Sequence, residues 1–166
     1  LIGEYHIDYL IIRDETFGFN KKWAYNLCRM IGTKSISWEV QTRAEVCSIE
    51  FSQLMKDSGC KQVSLGIESG SEKVLLQANK KETALKNLIA IKNLQVVGLN
   101  CRGFFIVGLP GESDETIVET ETFLNEAFDS GLASAAFAMF TPYPGCDFYN
   151  EYYKGFNVTD FDKYYQ

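Results

Sequence analysis

The stretch Gly103-Phe-Phe-Ile-Val-Gly-Leu-Pro-Gly-Glu112 decides the interpretation of the whole chain. Its first half is almost continuously apolar, which is typical of a strand in a parallel sheet covered by helices. Pro110 and Gly111 end that strand, and Ser113 suits the N-cap of a following helix. Ligands of parallel α/β folds bind at such strand-to-helix junctions. The stretch therefore predicts a buried strand that leads into a ligand-binding loop.

The same alternation of strand and helix extends in both directions along the chain. Apolar or alternating runs predict strands over Tyr5–Ile12, Ser35–Thr42, Gln62–Glu68, Asn100–Leu109 and Leu132–Phe140, the last of them buried. Helical spacing predicts helices over Asn20–Gly32, Ser48–Ser58, Glu82–Val97 and Asp114–Ser130, with short ones after Ser71 and from Asp147 to Tyr153. The expected core-facing stripes are Trp23, Leu27, Met30 and Ile31; Leu85, Leu88, Ile89, Lys92 (its stem) and Val96; and Ile117, Thr120, Leu124, Ala127 and Phe128.

This order of elements predicts an α/β fold. Because no hairpin turn joins neighbouring strands, the crossovers should be right-handed and the sheet parallel. The sheet could be open or curl into a barrel, although five βα units are too few for an eight-stranded barrel of roughly 250 residues. Residues 1–149 are expected to form one domain, and residues 150–166 an aromatic-rich extension or linker.

Composition narrows the function classes. The formal net charge of -6 argues against a sequence-independent grip on nucleic acid. No apolar run approaches the roughly 20 residues of a membrane helix, and the first residues do not resemble a leader peptide, so a cytoplasmic protein without a membrane partner is expected. The five cysteines are widely spaced, which is typical of reduced thiols.

Polar or backbone-flexible groups follow the end of each predicted strand, namely Asp14 and Glu15, Arg43, Gly66 to Gly70 with Glu68, Gly108 to Glu112, and Thr141 to Gly145. The carboxyl ends of parallel strands lie at one edge, so these groups should line one pocket. Neither a Ser/His/Asp constellation, nor an HExxH helix, nor a phosphate loop is present in the sequence.

Each candidate has a binding use and a structural alternative. Glu68 could accept two hydrogen bonds from vicinal hydroxyls of a ribose, or pair with Arg43 as a plain ion pair. Arg43 could clamp a ligand carboxylate, and Asp14 could hold a cationic amino group, or each could form a salt bridge. Ile106 and Gly108 could present an apolar edge and backbone groups to a purine ring, although core packing is the expectation for Ile106 by itself.

Four segments in order resemble the radical S-adenosylmethionine superfamily: Gly66-Ile-Glu-Ser-Gly70, Asn79-Lys80, Gly103 to Glu112, and Thr141-Pro-Tyr-Pro-Gly145. The segments Arg13 to Phe17 and Trp38 to Arg43 are similar to its cobalamin-associated branch. The resemblance spans about Tyr5 to Tyr149 and implies an incomplete parallel (β/α)6 TIM-like barrel, in which the five strands are the second to sixth.

The resemblance also implies cofactors and site residues. It implies a [4Fe-4S] cluster held by three cysteines that cleaves S-adenosylmethionine reductively to a 5′-deoxyadenosyl radical, which takes a hydrogen atom from an unknown substrate. By this resemblance Glu68 meets the ribose, Arg43 the methionine part, Ile106 and Gly108 the adenine, and Asp14 the amino group. Pro142, in the fourth segment, joins this cofactor-binding set. Cobalamin would bind through a separate domain.

Two departures from the family shape the expectation. No three cysteines reproduce its CxxxCxxC loop, so we expect a fragment that lacks the first strand and cannot hold the cluster or act by itself, with no catalytic or metal-binding residue of its own. The second-strand end reads Arg13-Asp-Glu rather than the Gly-Gly-Glu of many members.

The alternative functions are a non-catalytic nucleotide- or metabolite-binding domain, or an aldolase-like lyase using Lys61 or Lys80. An unpaired barrel edge would favour edge-to-edge dimers.

Overall fold

The computed structural model describes residues 2–143 and 148–149, with the backbone alone for Ile2, Gly3 and Glu15. Five strands are present: β1 (Tyr9–Phe17), β2 (Ser37–Thr42), β3 (Cys60–Glu68), β4 (Asn100–Val107) and β5 (Leu132–Met139). The helices are α1 (Ile2–Tyr5), α2 (Lys21–Gly32), α3 (Ile49–Asp57), α4 (Glu72–Gln77), α5 (Ala84–Val96) and α6 (Asp114–Asp129), with a short 3-10 helix at Ala44–Val46.

The five strands form one parallel sheet in the order β1-β2-β3-β4-β5. Every neighbouring pair is joined through helix, as expected of successive βα units. The predicted α/β class and parallel sheet are therefore confirmed. All five carboxyl ends lie at one edge of the sheet, and β1 and β5 are its outer strands among those described. Edge-to-edge pairing of two copies stays a prediction.

The core lies between the sheet and the helices. Alternate strand residues, such as Trp38 and Val40 on β2 and Val63, Leu65 and Ile67 on β3, are fully or almost fully buried there. The Trp38 indole donates a hydrogen bond to the Ser58 carbonyl oxygen at 3.0 Å, which satisfies its polar group inside the core. The helices cover one face of the sheet and leave the other with partly exposed side chains.

The helices turn only part of their predicted apolar stripes to this core. Small or polar residues line the contact: Ala24 and Cys28 in α2, Asn87 and Ala90 in α5, and Thr116 and Ala127 in α6. The predicted stripe residues Trp23, Met30, Leu85, Ile89, Val96, Ile117 and Phe128 are exposed. Other stripe residues are in place: Ile31 and Ala127 are buried, and Leu27, Leu88 and Leu124 pack against the core. The predicted stripes are therefore correct in part and wrong at their exposed members.

Two strand predictions are also corrected. Residues 2–5 are helical and His6 has a φ of 50°, so β1 begins at Tyr9 instead of Tyr5 and continues through Asp14 to Phe17. β5 is in place but is not buried as predicted, because no described strand lies beyond it and Phe137 and Met139 are exposed. Most of the predicted helix from Asp147 to Tyr153, and all of residues 150–166, lie outside the described residues.

Within residues 2–143 and 148–149, every helix is too short or too polar to cross a lipid bilayer.

Substituting Leu65, whose side chain is fully buried, with Ala should lower the free energy of unfolding by about 2–5 kcal/mol, because it removes core contacts and leaves a cavity. The matched control is Leu76→Ala, since Leu76 is 79% exposed on α4 and should change stability by less than about 0.5 kcal/mol. Urea unfolding followed by circular dichroism measures both variants. Equal losses would contradict the orientation of β3.

Candidate functional site

The sheet face without helices carries polar side chains that contact one another across neighbouring strands. The Tyr9 hydroxyl donates to Glu39 Oε2 at 3.0 Å, and Arg102 Nε donates to Ser134 Oγ at 3.3 Å. We call this surface the polar face. Partial burial raises the pKa of Tyr9, and the hydrogen bond to Glu39 and the negative charge of Glu39 raise it further. The Tyr9 hydroxyl therefore stays protonated and donates the hydrogen bond. Side-chain hydrogen bonds thus join neighbouring strands across the polar face.

Glu68 occupies the carboxyl end of β3 in a left-handed conformation, with a φ of 69°. The register between β3 and β4 shifts between Gly66 and Glu68, so the chain bulges at this point. The carboxylate folds back over Gly66, where a Cβ would lie only 2.7 Å from Glu68 Oε1. Glycine at position 66 therefore makes room for the Glu68 carboxylate.

Lys80, which follows α4, completes this end of β3. Its Nζ donates to Glu68 Oε1 at 2.9 Å, and both side chains are about four-fifths buried. The ion-pair partner of Glu68 is thus Lys80, and the alternative pairing with Arg43 is wrong. The sequence offered one signal for Lys80, the Asn79-Lys80 segment of the family resemblance, but spacing did not show that a residue 12 positions away returns to Glu68.

The loop after β4 is held in shape by its own side chains. Gly108 has a φ of 87°, and its N–H donates to Glu112 Oε1 at 2.7 Å. Gly111 also has a positive φ, of 84°, and a methyl group there would overlap the Gln77 side chain at the end of α4. Ser113 and Thr116 form a capping box that begins α6. The loop is therefore packed against α4, the helix that lies between Glu68 and Lys80 in the sequence.

Two of the candidate residues, Glu68 and Ile106, line one cavity of about 150 Å³ at the ends of β3 and β4. Its other lining residues are Phe105, Val107, Glu112, Ile117, Thr120, Glu121, Leu124 and Phe137. The walls are mainly apolar with three carboxylates among them, and α6 supplies four of the lining residues, so the cavity lies between the strand ends and α6. Ile106 itself is only partly buried, so the expectation that it packs in the core is not met.

The other candidates lie along the same edge of the sheet but do not line this cavity. Arg43 is exposed directly after Thr42, which pairs in register with Leu65, so Arg43 follows β2 beside the end of β3. Asp14 lies within β1, where three extra residues interrupt the pairing with β2, and its Oδ1 accepts from the Thr16 N–H at 2.9 Å. Pro142 is buried after β5.

The segment after β5 stays close to the Gly108 loop. The Phe140 N–H donates to the Val107 carbonyl oxygen at 2.8 Å, so the pairing of β4 with β5 continues past the strand. A Cβ at Gly108 would lie 3.8 Å from Phe140 Cβ. This contact brings the chain leading to Pro142 beside the loop that contains Gly108. Pro144 and Gly145 of the fourth segment lie outside the described residues.

The four cysteines that the structure describes do not suit an iron–sulfur cluster. Cys28, Cys47, Cys60 and Cys101 are all buried and free, and no metal-binding group of three side chains occurs among the described residues. Burial raises the pKa of Cys28 to about 11 and that of Cys60 and Cys101 to about 12, and also raises the pKa of Cys47. Cluster ligands are thiolates, whereas these thiols stay protonated inside the core.

Comparison with known proteins identifies relatives. The profile of the Radical SAM superfamily matches residues 4–124. An uncharacterized methyltransferase of Pyrococcus horikoshii is 35% identical over 144 residues, which cover 86% of this chain and 31% of that protein. The anaerobic magnesium-protoporphyrin IX monomethyl ester cyclase of Rubrivivax gelatinosus is 30% identical over 168 residues, covering 99% of this chain and 30% of the cyclase. The chain thus spans less than a third of the length of these curated relatives.

A solved structure shows the same fold. The radical S-adenosylmethionine methyltransferase TsrM of Kitasatospora setae, with cobalamin and a [4Fe-4S] cluster bound, matches 83% of this chain and 27% of its own, with a TM-score of 0.73 and 17% identity. At this identity the likeness concerns the fold. The predicted partial TIM-like barrel is therefore confirmed.

The four buried thiols should alkylate slowly with iodoacetamide at about pH 8, because only a thiolate reacts and their pKa values lie well above that pH. Raised folded-state pKa values also mean that their contribution to stability is fully present below the ordinary thiol pKa of 9.0 and is lost as the pH rises towards 11 to 12. Peptide mass spectrometry of native and urea-unfolded protein measures the labelling. Rapid labelling of these four cysteines in the native protein would contradict their burial.

Proposed function

The chain belongs to the radical S-adenosylmethionine superfamily, and we propose that it is the S-adenosylmethionine-binding part of an iron–sulfur enzyme of that family. The observation that carries this proposal is the carboxylate of Glu68. It is held in a left-handed bulge over Gly66 at the carboxyl edge of a parallel sheet, beside a mainly apolar cavity. A carboxylate there can accept both hydroxyls of a ribose, and the cavity wall can pack against a purine.

The roles of the individual residues follow from their chemistry and placement. Glu68 would accept the ribose hydroxyls, while the Ile106 side chain and the backbone at Gly108 would contact the adenine. Arg43, exposed at the end of β2, would bind the methionine carboxylate through its planar guanidinium. Asp14 would hold the methionine amino group.

Pro142 would close the adenine side of the site. Its place beside the Gly108 loop is supported by the continued pairing of β4 and β5 through the Phe140 N–H. These residues bind and orient the cofactor, and none of them is proposed to react. When bound, S-adenosylmethionine supplies the 5′-deoxyadenosyl group that the superfamily uses for hydrogen abstraction.

The described cysteines of this chain are unsuited to hold an iron–sulfur cluster. Four of its five cysteines are buried and protonated, so we propose that the thiolates come from outside these 166 residues and that the chain is inactive by itself. The type of reaction, whether oxidoreductase or methyl transfer, then depends on the remainder of the polypeptide, as do the substrate and any cobalamin domain. Methyltransferases and a cyclase among the relatives support this range.

Replacing Glu68 with Gln should weaken S-adenosylmethionine binding by roughly 10- to 100-fold, because hydrogen bonds to a charged acceptor contribute about 1.5–3 kcal/mol. Calorimetry on the longest native polypeptide that contains this chain measures the dissociation constant. Glu126→Gln, a substitution of an exposed glutamate on α6, is the matched control and should bind normally. Unchanged affinity of the Glu68 variant would exclude the proposed ribose contact.

Anaerobic reconstitution with iron and sulfide should give cluster absorbance and 5′-deoxyadenosine with the long polypeptide, and neither with residues 1–166 expressed separately. The expected difference follows from the buried, protonated thiols of this chain. If the long polypeptide bound S-adenosylmethionine but no iron, the chain would instead belong to a non-catalytic nucleotide-binding protein. A cluster assembled on residues 1–166 would show that the buried cysteines can serve as ligands.

A further inference from the structure

A second carboxylate lies behind the Glu68–Lys80 ion pair. Glu82 Oε2 is 3.9 Å from Lys80 Nζ, compared with 2.9 Å for Glu68 Oε1. The Lys80 ammonium is therefore flanked by two carboxylates, with a full hydrogen bond to one and a longer ion pair to the other. The Glu82 side chain is 4% exposed, whereas that of Glu68 is 23% exposed and borders the cavity.

Glu82 is unusual because its carboxylate is buried without hydrogen bonds. Neither of its oxygens has a hydrogen-bond partner in the part of the chain that the structure describes. A buried carboxylate normally collects several donors, since its charge has lost the stabilisation of water. The nearby Lys80 ammonium is thus its counter-charge, but at a distance too long for a hydrogen bond.

The proposed ligand contact and the Lys80 contact compete for the same carboxylate. A ribose that donates two hydroxyls to Glu68 takes up acceptor positions that Lys80 uses in the ligand-free protein. The hydroxyl that binds Glu68 Oε1 shares that oxygen with Lys80, which weakens the Lys80 contact and favours a shift of the ammonium towards a second acceptor. The open acceptor within reach is Glu82, and shortening the 3.9 Å separation by about 1 Å gives an ordinary charge-assisted hydrogen bond.

We propose that Glu82 is a positioning residue that receives Lys80 when the ligand engages Glu68. The role of Glu82 in ligand binding rests on the proposed function of Glu68. The ionic contact of Lys80 with Glu82, which we call the Lys80 anchor, exists with or without a ligand. Glu82 keeps the ammonium at the edge of the site and releases Glu68 to the ribose hydroxyls. The cation stays paired in both states, so ligand binding does not strand a buried charge.

The anchor can be tested without any ligand by the reactivity of the Lys80 amine towards an acetylating reagent. In Glu68→Gln, Lys80 should remain protected because Glu82 still holds it. In the double variant Glu68→Gln with Glu82→Gln, acetylation of Lys80 should rise at least about 10-fold, since both ionic partners are lost. Peptide mass spectrometry measures the rate, and the exposed Lys73 serves as the internal control.

If Lys80 in the single variant Glu68→Gln is acetylated as fast as the exposed Lys73, Glu82 does not hold Lys80 and the proposal is wrong. If the Glu82→Gln variant does not fold, Glu82→Asp in the Glu68→Gln background replaces it and should also raise acetylation of Lys80, because the shorter side chain moves the carboxylate away from the ammonium. Lys73 corrects for differences in reagent between samples, and an unchanged circular dichroism spectrum establishes that the fold of each variant is intact. These readouts do not depend on whether the protein binds S-adenosylmethionine.

The role in binding is tested by a double-mutant cycle in the longest native polypeptide. Glu82→Gln should weaken S-adenosylmethionine binding about 10-fold, because Lys80 then stays on Glu68. The same substitution in a Lys80→Met background should change affinity less than about twofold. A purely structural effect of Glu82→Gln would be equal in both backgrounds, which would overturn the positioning role. If the wild-type polypeptide does not bind S-adenosylmethionine, the proposed function is refuted. The acetylation experiment then still tests the Lys80 anchor, because it needs no ligand.

Discussion

The left-handed backbone at Glu68 is the constraint on which the rest of the site depends. A side chain other than glycine at positive φ costs of order 1–3 kcal/mol, so it persists only where neighbouring contacts compensate. Here the compensation is the Lys80 ion pair above Gly66. The conformation turns the carboxylate over Gly66 at the end of β3, where the register with β4 shifts and where Glu68 lines the cavity. One strained residue thus supplies both the acceptor and part of the wall of the cavity.

Tight packing between the following segments keeps this arrangement in place. Gly70 lies against Phe123 and the Thr120 backbone on α6, so closely that a Cβ would overlap both. The Gly70 N–H also donates to Thr120 Oγ1 at 3.1 Å. Together with the Gly111 contact to Gln77, these approaches tie β3, α4 and the loop after β4 into one unit. A site built on such contacts is formed before ligand binding, which reduces the ordering that binding would require.

The sequence predicted the fold well because it repeats a clear pattern of strand, cap and helix. Asn20, Ser48 and Thr83 each cap a helix through a side-chain oxygen, and the helices predicted from Asn20 and from Ser48 begin at the first two of these residues. The buried helix faces were predicted only in part, since apolar residues occur on several sides of α5 and small residues such as Ala90 share the contact with Ile91 and Leu94. The strand-end positions of Arg43, Glu68 and Gly108 followed from the βα order. The pairing of Glu68 with Lys80 did not, because it depends on how α4 returns over the sheet.

The chemistry of the cysteines separates binding from redox function in this chain. A thiol inside an apolar core behaves as a small hydrophobic group, and burial holds it in the protonated form. The charged groups, in contrast, gather at the carboxyl edge, where Glu68, Lys80 and Glu82 form a connected set. A carboxylate pair that shares one ammonium can accept hydrogen bonds from a ligand without leaving the cation unpaired. In the proposed function, this connected set holds and orients an adenosyl ligand, while the cluster thiolates come from another part of the polypeptide.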